Sequence, residues 1–319
     1  MDKLLAINNL NVDFTLRSTT LRAVNNVSLA VDKGERLGIV GESGAGKSVL
    51  GFSIINLISK PGRIASGSVM LQGEEISAYT YEQMRQIRGN RISMIFQDPM
   101  MTLNPVLTIG EQMRETINAH ASISTADANA ICLEKLRKVY IPSPEKRLDQ
   151  YPHEFSGGMR QRIIIAISLL TNPSLIIADE PTTALDVTIQ AEIMDLLLEL
   201  CETEHMGLIL ITHDLAVVSQ VTQRIAVMYA GSIVEMGATE ELVTNPQHPY
   251  TQGLLGALPQ RAARDGRLNQ IPGVMPGLAK IPEGCSFRNR CSLAADICLS
   301  EPVLKRKSSG NKVACHMVK

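Results

Sequence analysis

The sequence predicts an α/β fold that carries a phosphate-binding loop, followed by a small, loop-rich segment that contains cysteines. The first observation is the stretch Gly41–Ser48, which fits the pattern G-x-x-x-x-G-K-[ST]. It lies between the short apolar run Leu37–Val40 and the helical stretch Val49–Ile58, in the strand–loop–helix order of a phosphate cradle. The second observation is that later apolar runs, typical of buried strands, end in polar residues. The third is a change to Pro-rich composition after residue 255.

The phosphate loop combines flexible backbone with a cation. Its glycines allow successive N–H groups to turn inward around phosphate oxygens, and the following helix N-terminus adds positive potential. Lys47 is expected to reach the β- and γ-phosphates, and the Ser48 hydroxyl to ligate Mg²⁺. A chance match is disfavoured because strand, loop and helix agree. The nucleotide contacts expected here are Gly41, Ser43, Gly44, Gly46, Lys47, Ser48 and Val49.

Composition limits the classes of protein that fit. The chain has 319 residues, enough for one large domain and a smaller one, and its core must rest on aliphatic side chains because aromatics make up 3%. The net charge of −1 argues against nucleic-acid binding by bulk electrostatics. The longest apolar run, Ile163–Leu170, is too short to span a membrane, and the N-terminus lacks a secretory signal. We therefore expect a cytosolic protein whose cysteines are thiols or metal ligands.

Two loosely alternating stretches precede the phosphate loop. Leu4–Leu16 and Ala23–Val31 predict an antiparallel pair of strands. Phe14 lies near the end of the first stretch, where its ring could stack on an adenine base or pack in the core. Both interpretations of Phe14 stay open.

Three later apolar runs each present polar side chains at one end. Because ligands bind at the carboxyl ends of parallel strands, these side chains are candidates for Mg²⁺ coordination and for activating water. One carboxylate of an adjacent pair can hold the metal shell while the next acts on water. The runs and their polar residues are Ile92–Phe96 with Gln97, Leu175–Ala178 with Asp179 and Glu180, and Gly207–Ile211 with His213.

The region between Gln97 and Asp179 has a helical pattern. Ile109–Leu148 is predicted to be helical, with a loop at 141–144. Ser156, Gly157 and Gly158 stand before a long apolar helix, which predicts a serine-capped helix N-terminus. The phosphate loop alone suffices to bind the phosphates of one nucleotide. A second predicted anion site in the same chain is therefore unexpected and needs an explanation.

The C-terminal segment concentrates cysteines and positive charge. Its cysteine spacing, C-x₅-C-x₆-C-x₁₆-C, differs from the C-x₂-C runs of ferredoxins and leaves zinc open. Residues 261–319 hold eleven Lys/Arg and four Asp/Glu, consistent with an acidic partner, a membrane surface, a bound anionic cluster or a solvated tail. Cys132 and Cys201, on helical stretches, are expected to be buried bystanders. The four cysteines of the segment are Cys285, Cys291, Cys298 and Cys315.

Together these motifs resemble an ATP-binding cassette (ABC) ATPase subunit over about residues 4–255. The signature departs from the family pattern at Phe155, in place of Leu, and at Met159, in place of Gln, which leaves a hydrogen bond from that side chain in doubt. The matching stretches are the Walker A loop Gly41–Ser48, the Walker B strand Leu175–Glu180, the Q-loop residue Gln97, the signature Ser156-Gly157-Gly158, the D-loop Ala184-Leu185-Asp186 and the switch histidine His213.

The resemblance implies a P-loop NTPase fold with a mixed sheet core, an antiparallel β subdomain and a helical subdomain at about 100–172. This ATPase domain would span 1–255. It also implies that ATP lies between one chain's Walker A loop and a second chain's signature, which explains the surplus anion site and adds Asp186 to the nucleotide contacts. Glu180 would be the general base, with His213 at the γ-phosphate and Gln97 sensing the nucleotide near the permease. Lys47 completes the catalytic set, and Ser48, Gln97 and Asp179 would surround Mg²⁺.

The region from His248 onward resembles the C-terminal extension of dipeptide and oligopeptide importer ATPases, and residues 256–319 are expected to form the extension itself. In that family the four cysteines bind an iron–sulfur cluster, here expected to be one [4Fe–4S] cluster with a structural role, partly neutralised by Arg288 and Arg290. The implied partners are a second, homologous ATPase chain, two permease subunits and, indirectly, an extracytoplasmic binding protein, at the cytoplasmic face of the inner membrane. Glutathione or metal chelates such as nickel remain alternative solutes, and a soluble, non-transport ABC ATPase is the alternative class. The residues that carry this second resemblance are His248, Pro249, Tyr250, Thr251, Leu254, Leu255, Pro259, Gly284, Cys285, Arg290, Cys291, Cys315 and His316.

Overall fold

The computed structural model describes residues 3–183, 185–258, 270–307 and 310–318. Three residues used in the sequence analysis lie outside the described residues. They are Ala184 of the predicted D-loop, Pro259 of the C-terminal resemblance and Arg261 at the start of the basic segment.

The described part of the chain contains both strands and helices. The strands are β1 Lys3–Thr15, β2 Thr20–Asp32, β3 Arg36–Val40, β4 Gly62–Leu71, β5 Glu74–Glu75, β6 Ile92–Ile95, β7 Leu175–Asp179, β8 Gly207–Thr212, β9 Arg224–Tyr229, β10 Ser232–Ala238, β11 Lys305–Arg306 and β12 Lys312–Val313. The α-helices are α1 Lys47–Ile54, α2 Tyr81–Ile87, α3 Pro99–Thr102, α4 Ile109–Asn118, α5 Thr125–Lys138, α6 Pro144–Arg147, α7 Gly157–Ser168, α8 Val187–Thr203, α9 Leu215–Val221, α10 Thr239–Thr244 and α11 Pro249–Gly256.

The chain divides into two compact units. The first, which we call the phosphate-loop unit, contains residues 1–78 and 210–319. The second, the helical unit, contains residues 79–209. Each unit has buried strands of its own, and predicted site residues occur in both: Lys47 and Ser48 in the first, Gln97 and Glu180 in the second.

The phosphate-loop unit contains an antiparallel sheet with strand order β2-β1-β4-β5. Strands β1 and β2 pair from Lys3↔Asp32 to Thr15↔Thr20, which confirms the predicted antiparallel pair. The other strands of this unit lie in the order β11-β12-β10-β9-β3-β8, in which β3 and β9 are parallel and β9 and β10 antiparallel. Strand β3, the one that feeds the phosphate loop, is apolar and almost entirely buried, as its sequence predicts.

The helical unit holds the parallel pair β6 and β7, in register from Ile92↔Leu175 to Ile95↔Ala178. Every residue of β7 is buried, as expected for a strand covered on both faces. Helices α3 to α8 belong to the same unit, and they include the stretch that the sequence predicts to be helical. Thr108 caps α4 and Ser124 caps α5 through their side-chain oxygens, which fixes where these helices begin.

Helix α1 is shorter than the sequence predicts. The apolar pattern indicates a helix that runs to Ile58, but α1 ends at Ile54. Asn56 adopts a left-handed conformation with φ of 50°, which Asn tolerates better than most residues and which stops a helix. The apolar residues beyond it therefore continue a hydrophobic surface without continuing the helix.

The described part of the C-terminal extension belongs to the phosphate-loop unit, so a separate cysteine domain is not confirmed. Strand β12 adds to the edge of β10 through the pairs Glu235↔Val313 and Met236↔Lys312. The Ala314 N–H also donates to the Val234 carbonyl at 2.8 Å. The other short elements of the extension are 3-10 turns at Leu278–Lys280, Arg288–Arg290 and Asp296–Leu299. None of the described helices has both the length and the apolar character needed to cross a membrane.

Candidate nucleotide site

The phosphate loop is a compact turn between β3 and α1. Gly46 has φ of 97°, and a Cβ there would stand 2.5 Å from the Ala23 carbonyl oxygen, so only glycine fits. Lys47 is buried, and its Nζ donates to the carbonyl oxygens of Gly41 at 2.8 Å and Glu42 at 3.1 Å. The ammonium group is therefore held at the loop itself. Helix α1 begins without a side-chain cap, and a helix N-terminus is the end at which an anion is favoured.

The remaining loop residues differ in exposure. Ser43 and Gly44 are exposed, whereas Ser48 and Val49 are half-buried at the start of α1. An exposed turn that leads into a buried lysine is suited to receive a phosphate chain from solvent, which agrees with the expected contacts.

Phe14 and His213 lie in the same unit as the phosphate loop. Phe14 is half-buried, and its ring packs against Gly62, where a Cβ would stand 2.7 Å from Cε1 of Phe14. This contact shows a packing role and leaves base stacking as a prediction. His213 is exposed just beyond β8, and Asp214 after it caps α9 by accepting from the Ala216 N–H at 2.8 Å.

The helical unit brings Gln97 and Glu180 together. Gln97 Nε2 donates to Glu180 Oε2 at 3.2 Å, and Thr183 Oγ1 donates to the same oxygen at 3.0 Å. The two residues follow the neighbouring parallel strands β6 and β7, as the sequence predicts. Glu180 has φ of 46°, an uncommon value for a residue with a side chain, while Asp179 beside it is buried. The backbone turn thus directs the two adjacent carboxylates into different surroundings.

The predicted serine cap is present in the signature. Ser156 is the N-cap of α7, and its Oγ accepts from the Met159 N–H at 3.4 Å. Ser156 and Gly157 are exposed. A Cβ on Gly158 would stand 2.8 Å from Cγ2 of Ile189, so glycine allows this helix to approach α8 closely. The helix start therefore presents backbone donors on an open surface.

The two residues that depart from the family signature differ in their surroundings. Phe155 is buried, with the Arg147 guanidinium 5.7 Å from its ring centre, so the apolar contact is kept. The side chain of Met159 is half-buried and apolar. Asp186 is the exposed N-cap residue of α8, but its side chain makes no capping hydrogen bond, which leaves the carboxylate available for other contacts.

The cysteines on helices differ in their surroundings from those of the extension. Cys132 and Cys201 are buried in helices, and burial raises the pKa of the Cys132 thiol to about 11. The four cysteines of the extension are free thiols. Burial is the main reason that the pKa values of Cys285 and Cys291 are raised, and the other cysteines of the extension raise them further. These thiols therefore share one region.

The predicted metal centre at these thiols is not confirmed. Within the described ranges, no group of three or more His, Cys, Asp or Glu side chains could hold a metal ion. Arg290, expected to neutralise a cluster, is instead paired with a carboxylate of the phosphate loop, Glu42. No local pattern identifies Arg290 as the partner of Glu42, because the two residues are 248 positions apart.

Two contacts from the C-terminal region brace Glu42. Arg290 Nη1 and Nη2 donate to its carboxylate at 2.6 and 3.0 Å, and the Glu42 N–H donates to the Tyr250 hydroxyl at 2.8 Å. Sequence reasoning missed both residues as parts of the site. The one available signal was a carboxylate inside a loop built to bind anions, which calls for a countercharge somewhere in the fold.

The start of α11 is anchored by a buried carboxylate. Glu235 accepts from the backbone N–H groups of Gln247 and His248, both at 2.9 Å. His248 caps α11, because its Nδ1 accepts from the Tyr250 N–H at 3.1 Å. Burial raises the pKa of Glu235 and lowers that of His248 to about 4, so the fold favours a neutral imidazole.

Comparisons with known proteins agree with this geometry. The family description "ABC transporter" matches residues 24–183, and "Oligopeptide/dipeptide transporter, C-terminal region" matches residues 234–298. The dipeptide transport ATP-binding protein DppD of Escherichia coli is 46% identical over 98% of this chain and 96% of its own. The protein of the same name in Haemophilus influenzae is 48% identical over 98% of this chain and 95% of its own.

A solved structure supports the same assignment. The ATP-binding cassette MJ0796, a dimer bound to ADP and phosphate in a post-hydrolysis state, superposes with a TM-score of 0.66 and 27% identity. The match covers 74% of this chain and 98% of that one. With its phosphate loop, its Gln97–Glu180 pair and its capped signature helix, the chain belongs to the ABC transporter family, as an ATP-hydrolysing subunit with a P-loop ABC ATPase fold.

Proposed function

We propose that the chain powers the import of dipeptides or short oligopeptides across the cytoplasmic membrane by hydrolysing ATP. The observation that carries this proposal is the match of residues 234–298 to the oligopeptide/dipeptide transporter description. The chain beyond this match adds strand β12 to the edge of β10, within the phosphate-loop unit. The relatives named for dipeptide transport are similar along nearly the whole chain, extension included. The chain would act as a peripheral subunit at the cytoplasmic face, with a homologous ATPase chain, two permease subunits and an extracytoplasmic binding protein.

The phosphate-loop unit is proposed to bind the nucleotide. Lys47 would contact the β- and γ-phosphates, with backbone N–H groups around them and Ser48 on Mg²⁺. Phe14 would support the adenine, and His213 would contact the γ-phosphate. Mg²⁺ supplies charge neutralisation of the transferring phosphoryl group when bound.

The helical unit is proposed to supply the groups that act on water. Glu180 would take a proton from the attacking water, because it is half-buried and its carboxylate is oriented by Gln97 and Thr183. Asp179 and Gln97 would complete the Mg²⁺ shell. The positive φ of Glu180 supports this role, since strained backbone is concentrated at functional sites.

Ser156, Gly157 and Gly158 are proposed to act on the nucleotide of a second chain. An exposed helix N-terminus with a serine cap can grip the γ-phosphate of ATP bound elsewhere, with Asp186 nearby on the next helix. Mixing a Lys47 variant with a Ser156 variant should leave at most one of two composite sites intact. A Ser156 variant that loses hydrolysis but keeps ATP-driven dimer closure would contradict this arrangement.

Hydrolysis is tested by Glu180→Gln. We expect turnover in the assembled transporter to fall by roughly 10²–10⁴, the usual effect of removing a general base, while ATP binding persists. Glu192→Gln is the matched control, since Glu192 is an exposed carboxylate paired with Arg162. Near wild-type turnover in Glu180→Gln would overturn the assigned role.

The solute is tested by uptake in cells that carry the chain with its own permeases. Loss of labelled dipeptide uptake in the Glu180→Gln strain, with nickel and glutathione uptake unchanged, supports the proposal. The opposite pattern would assign the chain to one of those solutes. Failure of the chain to copurify with any permease would favour a non-transport ATPase.

We further propose that the C-terminal extension binds one [4Fe–4S] cluster that stabilises its fold. Its ligands would be Cys285, Cys291, Cys298 and Cys315. Four free thiols that share one region are a suitable set of ligands. Three of them lie within residues 234–298, which match the C-terminal region of oligopeptide/dipeptide transporters. Zinc is the alternative metal, because four thiolates can also bind a single Zn²⁺ ion. A single ion requires its thiolates to lie within about 4 Å of each other. A cluster of several irons spaces them more widely.

Anaerobic purification separates the two metals. A brown protein with a broad visible band, iron and acid-labile sulfide is expected, and a colourless protein with one zinc per chain would overturn the cluster. Cys291→Ser should lose the colour and loosen the extension, whereas the buried control Cys201→Ser should keep the colour.

A further inference from the structure

Glu42 places a carboxylate within the loop that is assigned to phosphate binding. It follows Gly41 directly, and its side chain is 30% exposed. An unpaired carboxylate so close to a phosphate chain repels it, and the repulsion is strongest where water is partly excluded. The loop therefore needs a countercharge that stays in place while nucleotide binds and leaves.

Arg290 supplies that countercharge in a fixed geometry. Both of its terminal nitrogens bind the Glu42 carboxylate, and its side chain is only 6% exposed. Its Nε donates to the Pro272 carbonyl at 2.8 Å, and Nη2 also donates to the Gly273 carbonyl at 3.2 Å. Because the guanidinium also donates to these two backbone carbonyls, it cannot rotate away from Glu42 without losing several hydrogen bonds.

A cluster of aromatic rings supports this pair. The Arg290 guanidinium lies 5.9 Å from the Tyr229 ring centre and 6.0 Å from that of Phe287. Tyr250 packs edge-on against Tyr229, with ring centres 4.7 Å apart, and all three rings are buried. The chain has only five Phe and six Tyr, so placing three of them here concentrates its rigid side chains at the junction of extension and loop.

We propose that Arg290 is a positioning residue for ATP binding, which neutralises Glu42 and so lets the C-terminal extension set the affinity of the phosphate loop for nucleotide. The Tyr250 hydroxyl assists by holding the Glu42 N–H. This proposal rests on the proposed assignment of ATP to Gly41–Ser48. It gives the extension a role in the ATPase cycle beyond that of its thiols.

The test is a double-mutant cycle on the full-length chain, with ATP affinity measured by calorimetry. Arg290→Ala should weaken ATP binding by about tenfold, the equivalent of roughly one hydrogen bond to a charged group. Glu42→Gln should leave the affinity unchanged or tighten it, because Arg290 then faces the phosphates without its carboxylate. The double variant should recover most of the affinity lost in Arg290→Ala.

A loss of ATP affinity in Arg290→Ala without a loss in Glu42→Gln distinguishes neutralisation from a merely structural ion pair. A structural pair predicts that both variants weaken binding and that the double variant does not recover. Either of those results, or unchanged affinity in Arg290→Ala, overturns the proposal. The deficit of Arg290→Ala should also shrink as salt rises from about 0.1 M to 1 M, because screening weakens the repulsion.

Two further variants keep the test decisive. If Arg290→Ala unfolds, as a melting curve would show, Arg290→Lys keeps the charge without the bidentate fork. A folded Lys variant should bind ATP less tightly than the wild type, with a loss smaller than the roughly tenfold expected for alanine. Wild-type affinity, or a loss as large as that expected for alanine, contradicts the proposal. Lys47→Ala tests the site itself. Normal binding in Lys47→Ala would contradict the ATP assignment, whereas loss there with normal binding in a folded Arg290→Ala contradicts only the role of Arg290.

Discussion

The phosphate loop and the signature loop are both helix starts that offer backbone donors, but they are held in opposite ways. The phosphate loop is braced from far along the chain, since Tyr250 and Arg290 are 208 and 248 residues from Glu42. The signature is held locally: Ser156 bonds Met159, and Arg160 Nε donates to the Pro152 carbonyl at 2.7 Å, eight residues away.

The difference matches what each loop is proposed to do. A loop that carries its own nucleotide needs a geometry fixed before binding, because preorganisation lowers the cost of ordering it on binding. A signature that grips the nucleotide of another chain needs an exposed, self-contained helix start. The four predictions below test this difference between the loops. Each states how large the effect of a change should be and which loop it should affect.

The largest effect is expected for Lys47→Ala. Two contacts to charged phosphates, each of about 1.5–3 kcal/mol, correspond to a loss of roughly 10²–10⁴ in ATP affinity of the isolated chain. Lys33→Ala, an exposed lysine of the same unit, is the control and should bind normally. Calorimetry checks both. If the Lys47 variant bound ATP with wild-type affinity, the phosphate loop would not be the site that binds the chain's own nucleotide, and the comparison of the two loops would fail.

The second effect depends on pH and on His248. Because burial lowers the pKa of His248 to about 4, the unfolded chain binds a proton below about pH 6.5 that the folded chain does not. The free energy of unfolding should be at its full value above that pH and fall by up to about 3 kcal/mol as the pH drops toward 4. The raised pKa of Glu235 acts in the opposite sense.

His248→Asn isolates the histidine. Asn is a good N-cap and can accept from the Tyr250 N–H, but it does not titrate. The difference between the wild-type and variant denaturation profiles should grow below pH 6 and vanish at pH 8. Amide exchange should show that acid loosens α11 and the phosphate loop before the signature. A parallel pH profile in both proteins would contradict this prediction.

The third effect is that of Tyr250→Phe. Removing the hydroxyl leaves the Glu42 N–H without its acceptor, at a cost of about 1–3 kcal/mol. We expect faster amide exchange at residues 41–48 and unchanged exchange at 156–159. Tyr140→Phe is the control, because its exposed hydroxyl bonds Glu199 at the surface of the helical unit. Equal acceleration in both loops would mean that the bracing is not specific to the phosphate loop.

The smallest effect is that of Ser156→Ala. Losing an N-cap typically destabilises a helix by about 1 kcal/mol, so exchange should quicken at the first turn of α7 while ATP affinity of the isolated chain stays unchanged. Ser124→Ala, which removes the cap of α5, should cost a similar amount without affecting turnover of the assembled transporter. A change in single-chain ATP affinity in Ser156→Ala would contradict the local character of the signature.

The sequence alone determined the order of elements and the position of each motif, because both depend on patterns within about ten residues. Alternating stretches predicted β1 and β2, and the buried runs before Asp179 and His213 predicted β7 and β8. The serine cap at Ser156 followed from its place before an apolar helix. The exception is α1, which was predicted to run to Ile58 but ends at Ile54. The apolar pattern continues past Asn56, whose left-handed conformation stops the helix.

Only the tertiary structure decided how the phosphate loop is braced. A carboxylate at Glu42 in an anion-binding loop indicates that a countercharge is needed, but no local pattern identifies Arg290 as the residue that supplies it. The same holds for the Tyr250 hydroxyl and for the addition of β12 to β10. Contacts across such separations form only when the sheet brings distant segments together, and a one-dimensional pattern does not contain that distance.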